Sequence, residues 1–114
     1  MELNELLTLL TRQPDSIVFS QVIETIDENY HFTPTEFKNG EILNAENQNN
    51  GSCKIFAFAQ LQQLDKAQTL ACFGDYYRKD VLQNPENDDH QNIRNFIESG
   101  WDGIQFFNQA LSKK

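Results

Sequence analysis

Asn49-Asn50-Gly51-Ser52-Cys53-Lys54-Ile55-Phe56-Ala57-Phe58-Ala59 decides the fold. A polar loop runs into a segment that is apolar on nearly every side, so Cys53 to Leu64 reads as a helix sheathed by the rest of the chain. A strand over Ile55 to Ala59 is the alternative, because a short apolar run does not separate the two by period. Ser52 reads as the N-cap and Cys53 as the first helical residue, with Asn44 to Ser52 as loop. The unpaired N–H groups and dipole of such a helix start favour a thiolate at Cys53.

On the N-terminal side, Leu3, Leu6, Leu7 and Leu10 recur at helical spacing and define an amphipathic first helix. Pro14 ends it, and Asp15 reads as the cap of a second helix whose stripe is Phe19, Val22, Ile23, Ile26 and Tyr30. Residues 33–43 carry two patterns. Asn39-Gly40 is a two-residue hairpin signal that sets Phe37 opposite Ile42 and Lys38 opposite Glu41. Thr33-Pro34-Thr35-Glu36 also fits a capping box with Pro at the first helical position. The hairpin is the stronger pattern, and the short helix stays open.

On the C-terminal side, Asp65 and Gln68 supply a capping pair for a helix carrying Leu70, Ala71 and Phe73 to a stop at Gly74. Tyr76 to Leu82 reads as another helical turn or two, closed by Asn84-Pro85. Asp88 or Asp89 caps a last helix with Ile93, Phe96 and Ile97 inside, ending at Gly100, with Trp101 as a core plug. Asp102-Gly103 is a turn, Ile104 to Phe106 a short strand, and Lys113-Lys114 a frayed tail. The expected fold is α+β, mainly α-helical: several short helices around a central buried helix, with a small antiparallel β element, in one domain over residues 1–114.

Composition narrows the function. With 114 residues, a single domain buries roughly two thirds of the surface its unfolded chain exposes. Asp plus Glu number 17 against 9 Lys plus Arg, and no basic stripe appears, which argues against nucleic acid and anionic lipid as partners. Basic surfaces and neutral small molecules suit this charge better. No segment approaches the ~20 apolar residues of a membrane span. Met1-Glu2-Leu3-Asn4-Glu5 carries acid where a secretory signal needs base, so the expected location is cytoplasmic. Two unpaired Cys read as free thiols of a reducing compartment.

Two sets of residues carry candidate chemistry. In the first, Cys53 is a nucleophile, His90 its general base beside an orienting carboxylate, and Gln48 a side-chain donor that joins the backbone N–H groups of Cys53 and Lys54 in an oxyanion hole. Gly51-Ser52-Cys53 before a buried helix is similar to papain-type thiol hydrolases, without that family's second Cys and in a chain too short for its two-domain body. The plain reading makes Cys53 and Cys72 packing residues and His90 a surface group. In the second set, Tyr76, Tyr77, Arg78, Arg94 and Asp89 form a ligand-binding face, the two Arg gripping a carboxylate or phosphate. Its plain reading pairs the Arg with Asp75, Asp80 or Asp89. A binding module would show an exposed groove edged by Tyr76, Tyr77 and Phe107. Cys53, Cys72, His31 and His90 lack metal-ligand spacing, and neither a metal nor a cofactor is expected.

Longer motifs are familiar. Phe32-Thr33-Pro34-Thr35-Glu36-Phe37-Lys38-Asn39-Gly40, Asn50-Gly51-Ser52-Cys53-Lys54-Ile55-Phe56-Ala57-Phe58, Thr69-Leu70-Ala71-Cys72-Phe73-Gly74-Asp75-Tyr76-Tyr77-Arg78 and Asp89-His90-Gln91-Asn92-Ile93-Arg94-Asn95-Phe96 resemble the HopJ family. Asp80-Val81-Leu82 and Gly100-Trp101 extend the match, which covers about Ile17 to Phe106. Asn47, Asn87 and Asn108 stand where relatives are expected to carry Gly, and Asn tolerates positive φ at such turns. The family is named for type III effectors that plant pathogens inject into host cells, which implies export to a host as the alternative location. It implies no reaction and no cofactor. The function expected on these grounds is binding of a protein or small-molecule partner, with the Cys53 thiol hydrolase or transferase as the alternative.

Overall fold

The computed structural model describes all 114 residues. Helix α1 (Leu3–Arg12) buries Leu6 and Leu10 and closes with the Gln13 N–H on the Leu9 carbonyl, 2.7 Å, before Pro14. Pro14–Ser16 is a 3-10 turn, and α2 (Phe19–Asn29) begins after Val18. Asp15 therefore caps nothing in α2; it sits within the turn, three residues before the N-cap position Val18. Tyr30 belongs to β1 (Tyr30–Phe32), and its hydroxyl accepts from Gln62 Nε2 at 2.8 Å.

The hairpin forms and the short helix over 33–36 does not, but the register differs from the expected one. Strands β2 (Phe37–Asn39) and β3 (Ile42–Asn44) pair Phe37 with Asn44, Lys38 with Leu43 and Asn39 with Ile42. The two-residue loop is Gly40-Glu41, with Gly40 at φ +62°, so glycine fills the first turn position that demands positive φ. Asn39 is withdrawn into the strand because its amide donates to the main-chain oxygen and to Oδ1 of Asn92, at 2.8 and 3.0 Å.

Helix α3 (Asn50–Leu61) is the buried centre. Cys53, Ile55, Phe56, Ala57, Phe58 and Ala59 are all buried, so every face of the helix meets protein. The Phe56 ring lies against those of Phe37, Phe73, Phe96 and Trp101, at centroid distances of 6.0, 5.6, 5.0 and 6.4 Å. Tilted and edge arrangements of this kind add to the burial of the ring itself. The helix stops without glycine. Gln63 stands at φ +56°, Leu64 N–H reaches Ala59 O at 2.9 Å, and Gln63 N–H reaches Gln60 O at 3.2 Å, which is a Schellman closure made with glutamine.

Helix α4 (Lys66–Ala71) carries both bonds of the expected capping box: Gln68 N–H to Asp65 Oδ1, 2.7 Å, and Asp65 N–H to Gln68 Oε1, 3.1 Å. Gly74 turns the chain at φ +59°, where an added Cβ would stand 2.9 Å from the Phe19 nitrogen. Tyr76–Val81 is a π-helical segment, and α5 (Gln91–Ser99) ends at Gly100, φ +60°. Trp101, in the 3-10 turn Gly100–Gly103, packs on Phe56 and Phe96 and donates its indole N–H to Leu64 O at 3.1 Å. Strand β4 (Ile104–Phe106) completes a three-stranded antiparallel sheet in the order β3-β2-β4.

The chain forms a second sheet that no sequence pattern marks. Strand β5 (Leu111–Lys113) pairs antiparallel with β1, placing Tyr30 opposite Lys113 and Phe32 opposite Leu111, and Lys114 N–H reaches Asn29 O. Lys113 and Lys114 are thus held by the backbone of β1 and the end of α2. Of the three turns assigned to Asn, Asn47 does adopt φ +69°, whereas Asn87 and Asn108 do not take positive φ.

Candidate functional site

Helix α3 starts at Asn50, three residues before Cys53, so the N-cap position is Asn49 at φ +53° and not Ser52. Cys53 N–H is consequently spent on Asn49 O at 3.0 Å. The Cys53 side chain is 1% exposed and its Sγ donates to Thr35 O at 3.8 Å. Burial, only partly offset by that bond, pushes its pKa up. Gln48 folds back onto its own loop, its Oε1 accepting from Ala45 N–H at 3.0 Å. Cys53, Gln48 and His90 do not gather around one opening. Cys72 is sealed in the core, and burial pushes its thiol up to about 12.

The two arginines are occupied by the protein. Arg78 donates to Ile17 O at 2.7 Å and Pro14 O at 3.4 Å, tying the π-helical segment to the α1–α2 connection, and it meets Asp75 at 3.3 Å. Arg94 clamps the loop before α5, through Nε to Asp89 O at 2.6 Å and through Nη2 to Asp89 Oδ1 at 2.7 Å, with Pro85 O and Asp80 O also accepting. The hydrogen bond from Arg94 holds the Asp89 carboxyl below the usual carboxylate range. Tyr77 turns toward the core, so Tyr76 and Tyr77 do not share a face.

What remains of both candidate sets meets at a cleft of about 370 Å³. Its walls come from the first turns of α3 (Gly51, Ser52) and α5 (Gln91, Asn92), with Asn44 of β3, Asn49, His90, and the rings of Phe19, Phe73 and Tyr76. Neither helix start is capped by a side chain, because Asn49 and His90 hold those positions in the left-handed region. The N–H groups of Gly51, Ser52, Gln91 and Asn92 therefore have no partner in the protein, whereas Ile93 N–H is taken by His90 O at 3.0 Å. Tyr76 is 44% exposed, edges onto Phe19 at 5.0 Å and lies 5.1 Å from the His90 ring. His90 Nε2 is 3.0 Å from Asp80 Oδ2. A wider groove of about 510 Å³ along the outer side of α5 has Arg94 as its one cationic group, already used as above.

Beneath the cleft lies a buried amide network. Asn92 Oδ1 accepts from Asn39 Nδ2 at 3.0 Å and Asn44 Nδ2 at 3.1 Å, while Asn92 Nδ2 donates to Asn44 Oδ1 at 3.0 Å. Asn49 Nδ2 donates to the same Asn44 oxygen at 2.7 Å. These bonds fasten β2 and β3 to the start of α5 and hold Asn49 where α3 begins. From the sequence, Asn39 reads as a turn residue, Asn44 and Asn49 as loop and Asn92 as an ordinary position of the last helix; only the Asn49-Asn50-Gly51 stretch hints at a special backbone, and nothing local marks the pairings.

The chain has a relative of known structure. It superimposes on the crystal structure of the unknown-function protein VPA0580 with a TM-score of 0.98 at 56% identity, covering 100% of this chain and 95% of that one. Among curated proteins, nothing matches. The model of the HopJ type III effector protein family matches residues 3–111, and the chain belongs to that family.

Proposed function

We propose that this protein works by binding, and that the cleft between the starts of α3 and α5 takes a small molecule or a side chain of a protein partner that presents hydrogen-bond acceptors beside an apolar or aromatic part. The observation that carries this reading is the convergence of two uncapped helix starts on one cavity edged by an exposed tyrosine. Unpaired N–H groups supply donors, and Phe19, Phe73 and Tyr76 supply apolar wall, the mixture usual in ligand pockets. Catalysis by Cys53 is supported least, since its thiol is buried, protonated and bonded to a carbonyl. No helix is long and apolar enough to cross a membrane. An effector role after export is a use of the same binding chemistry that the family's description supports.

Titration of 15N-labelled protein with acetate, acetamide and phenol as separate probes tests the reading. Saturable amide shifts centred on Gly51, Ser52, Gln91 and Asn92, weakened by Tyr76→Ala for phenol, are expected. Shifts spread evenly over the surface, or none at high probe concentration, overturn it.

A further inference from the structure

We propose that His90, Asp80 and Asp89 form a binding site for a divalent transition cation of the Zn²⁺ or Mn²⁺ class, on the rim of the cleft. The site is independent of the binding reading above. His90 Nε2 stands 3.0 Å from Asp80 Oδ2 and 3.8 Å from Asp89 Oδ2, and the three ligand atoms lie within 4.8 Å of one another. Ligands on a tetrahedral zinc with bonds of about 2.0–2.1 Å are separated by roughly 3.3 Å. A small rotation of Asp80, whose carboxylate is about half exposed and bonded only to His90, therefore brings the third edge in.

Three features beyond proximity favour an ion. First, the charge is unbalanced: Arg94 Nη2 meets Asp89 at 2.7 Å but touches Asp80 only through its main-chain oxygen at 3.4 Å, leaving the Asp80 carboxylate with His90 alone. Second, Arg94 grips Asp89 through Oδ1 and leaves Oδ2 toward His90, the outer support that orients a ligating carboxylate. Third, His90 also lines the cleft and both carboxylates are about half exposed, so an ion reaches the cluster from solvent. An imidazole with two carboxylates is a nitrogen–oxygen donor set, suited to Zn²⁺ or Mn²⁺ and poor for thiophilic ions. Coordination uses the Nε2 lone pair, so the ion stands between Nε2 and Asp80 Oδ2, where the two atoms now face each other at 3.0 Å. The positive end of α5 faces the same spot and keeps the affinity modest.

The test is calorimetric titration of the full chain with ZnCl₂, with Mn²⁺-induced broadening of amide resonances to locate the ion. One site is expected, with broadening centred on Asp80, Asp89 and His90. His90→Asn, chosen because Asn tolerates the positive φ of this position, should weaken Zn²⁺ binding about tenfold or more. Asp80→Asn should do the same, while Asp15→Asn, an exposed acid in the 3-10 turn before α2, should leave it unchanged. Circular dichroism of each variant separates lost ligands from lost fold. Absence of binding up to millimolar ion, unaltered affinity in folded His90→Asn, an equal loss in Asp15→Asn, or broadening centred on other carboxylates each overturns the proposal.

Discussion

Replacing Asn92 by alanine tests whether the buried amide network holds the sheet to α5. The substitution removes three side-chain hydrogen bonds at once. Their loss is not equal. Asn39 Nδ2 keeps the main-chain oxygen of residue 92 at 2.8 Å, and Asn44 Oδ1 keeps the Asn49 amide at 2.7 Å. Asn44 Nδ2 keeps nothing, and Asn44 is 1% exposed. One orphaned buried donor costs about 1–3 kcal/mol. The missing side-chain packing adds about 1 kcal/mol, for a total near 2–4 kcal/mol. At this chain length that corresponds to a fall in Tm of about 10 °C or more. Urea unfolding followed by the single tryptophan and by circular dichroism measures it, with m unchanged if only stability moved. The sharper measurement is the cycle with Asn44→Ala. Each single variant strands a partner and the double strands neither, so the double should cost about 1–2 kcal/mol less than the sum. A loss under about 0.5 kcal/mol for Asn92→Ala, or additivity within about 0.3 kcal/mol, would refute the reasoning.

Three further outcomes follow from particular residues. Cys53 should resist iodoacetamide at neutral pH in the native state and react only as fast as the protein unfolds; prompt alkylation would mean that its sulfur is not sealed beneath Thr35. Cys72 makes stability depend on pH: its thiol ionises near 9 when unfolded but near 12 when folded, so above pH 9 the unfolded state holds fewer protons and stability falls, by up to about 1.4 kcal/mol per pH unit. Cys72→Ala should flatten that decline between pH 9 and 11 in urea titrations, and an unchanged slope would assign it to other groups. Gln63→Gly should raise stability by about 0.5–1 kcal/mol, because glycine takes φ +56° without the strain of a side chain; a loss would show that the glutamine side chain, not the backbone, makes the Schellman turn.

The elements legible in the sequence are those whose signals are local. Leu6 and Leu10 one turn apart, Asp65 and Gln68 in their reciprocal cap, and Gly74 and Gly100 at positive φ all act within a few residues. Strands β1 and β5 have no such signal. Each is three residues long, too short to show alternation, and each becomes a strand only because residues about 80 positions apart meet. The hairpin register fails for a related reason. Asn39-Gly40 is a strong turn dipeptide, but a bond to Asn92, 53 residues away, outweighs the local preference and moves the turn on by one. Helix ends without glycine, such as Gln63 and His90, likewise hide behind residues that seldom take the left-handed region.

The site shows how far a one-turn error carries. With Ser52 as the cap, Cys53 would be the first helical residue, its N–H free and its sulfur at an open end. With Asn49 as the cap, Cys53 is the fourth, its N–H accepted by the cap carbonyl and its side chain turned among core residues. The three residues displaced into the open turn are Asn50, Gly51 and Ser52, and two of them line the cleft. The reading of an electropositive helix start in this stretch therefore survives with a different occupant: backbone donors in place of a thiolate. What sets the helix start is Asn49, held by Asn44, which Asn92 holds in turn. The chemistry available at the cleft thus depends on amides 43 residues beyond the loop they organise, where no motif of the Asn49 to Ala59 stretch could display them.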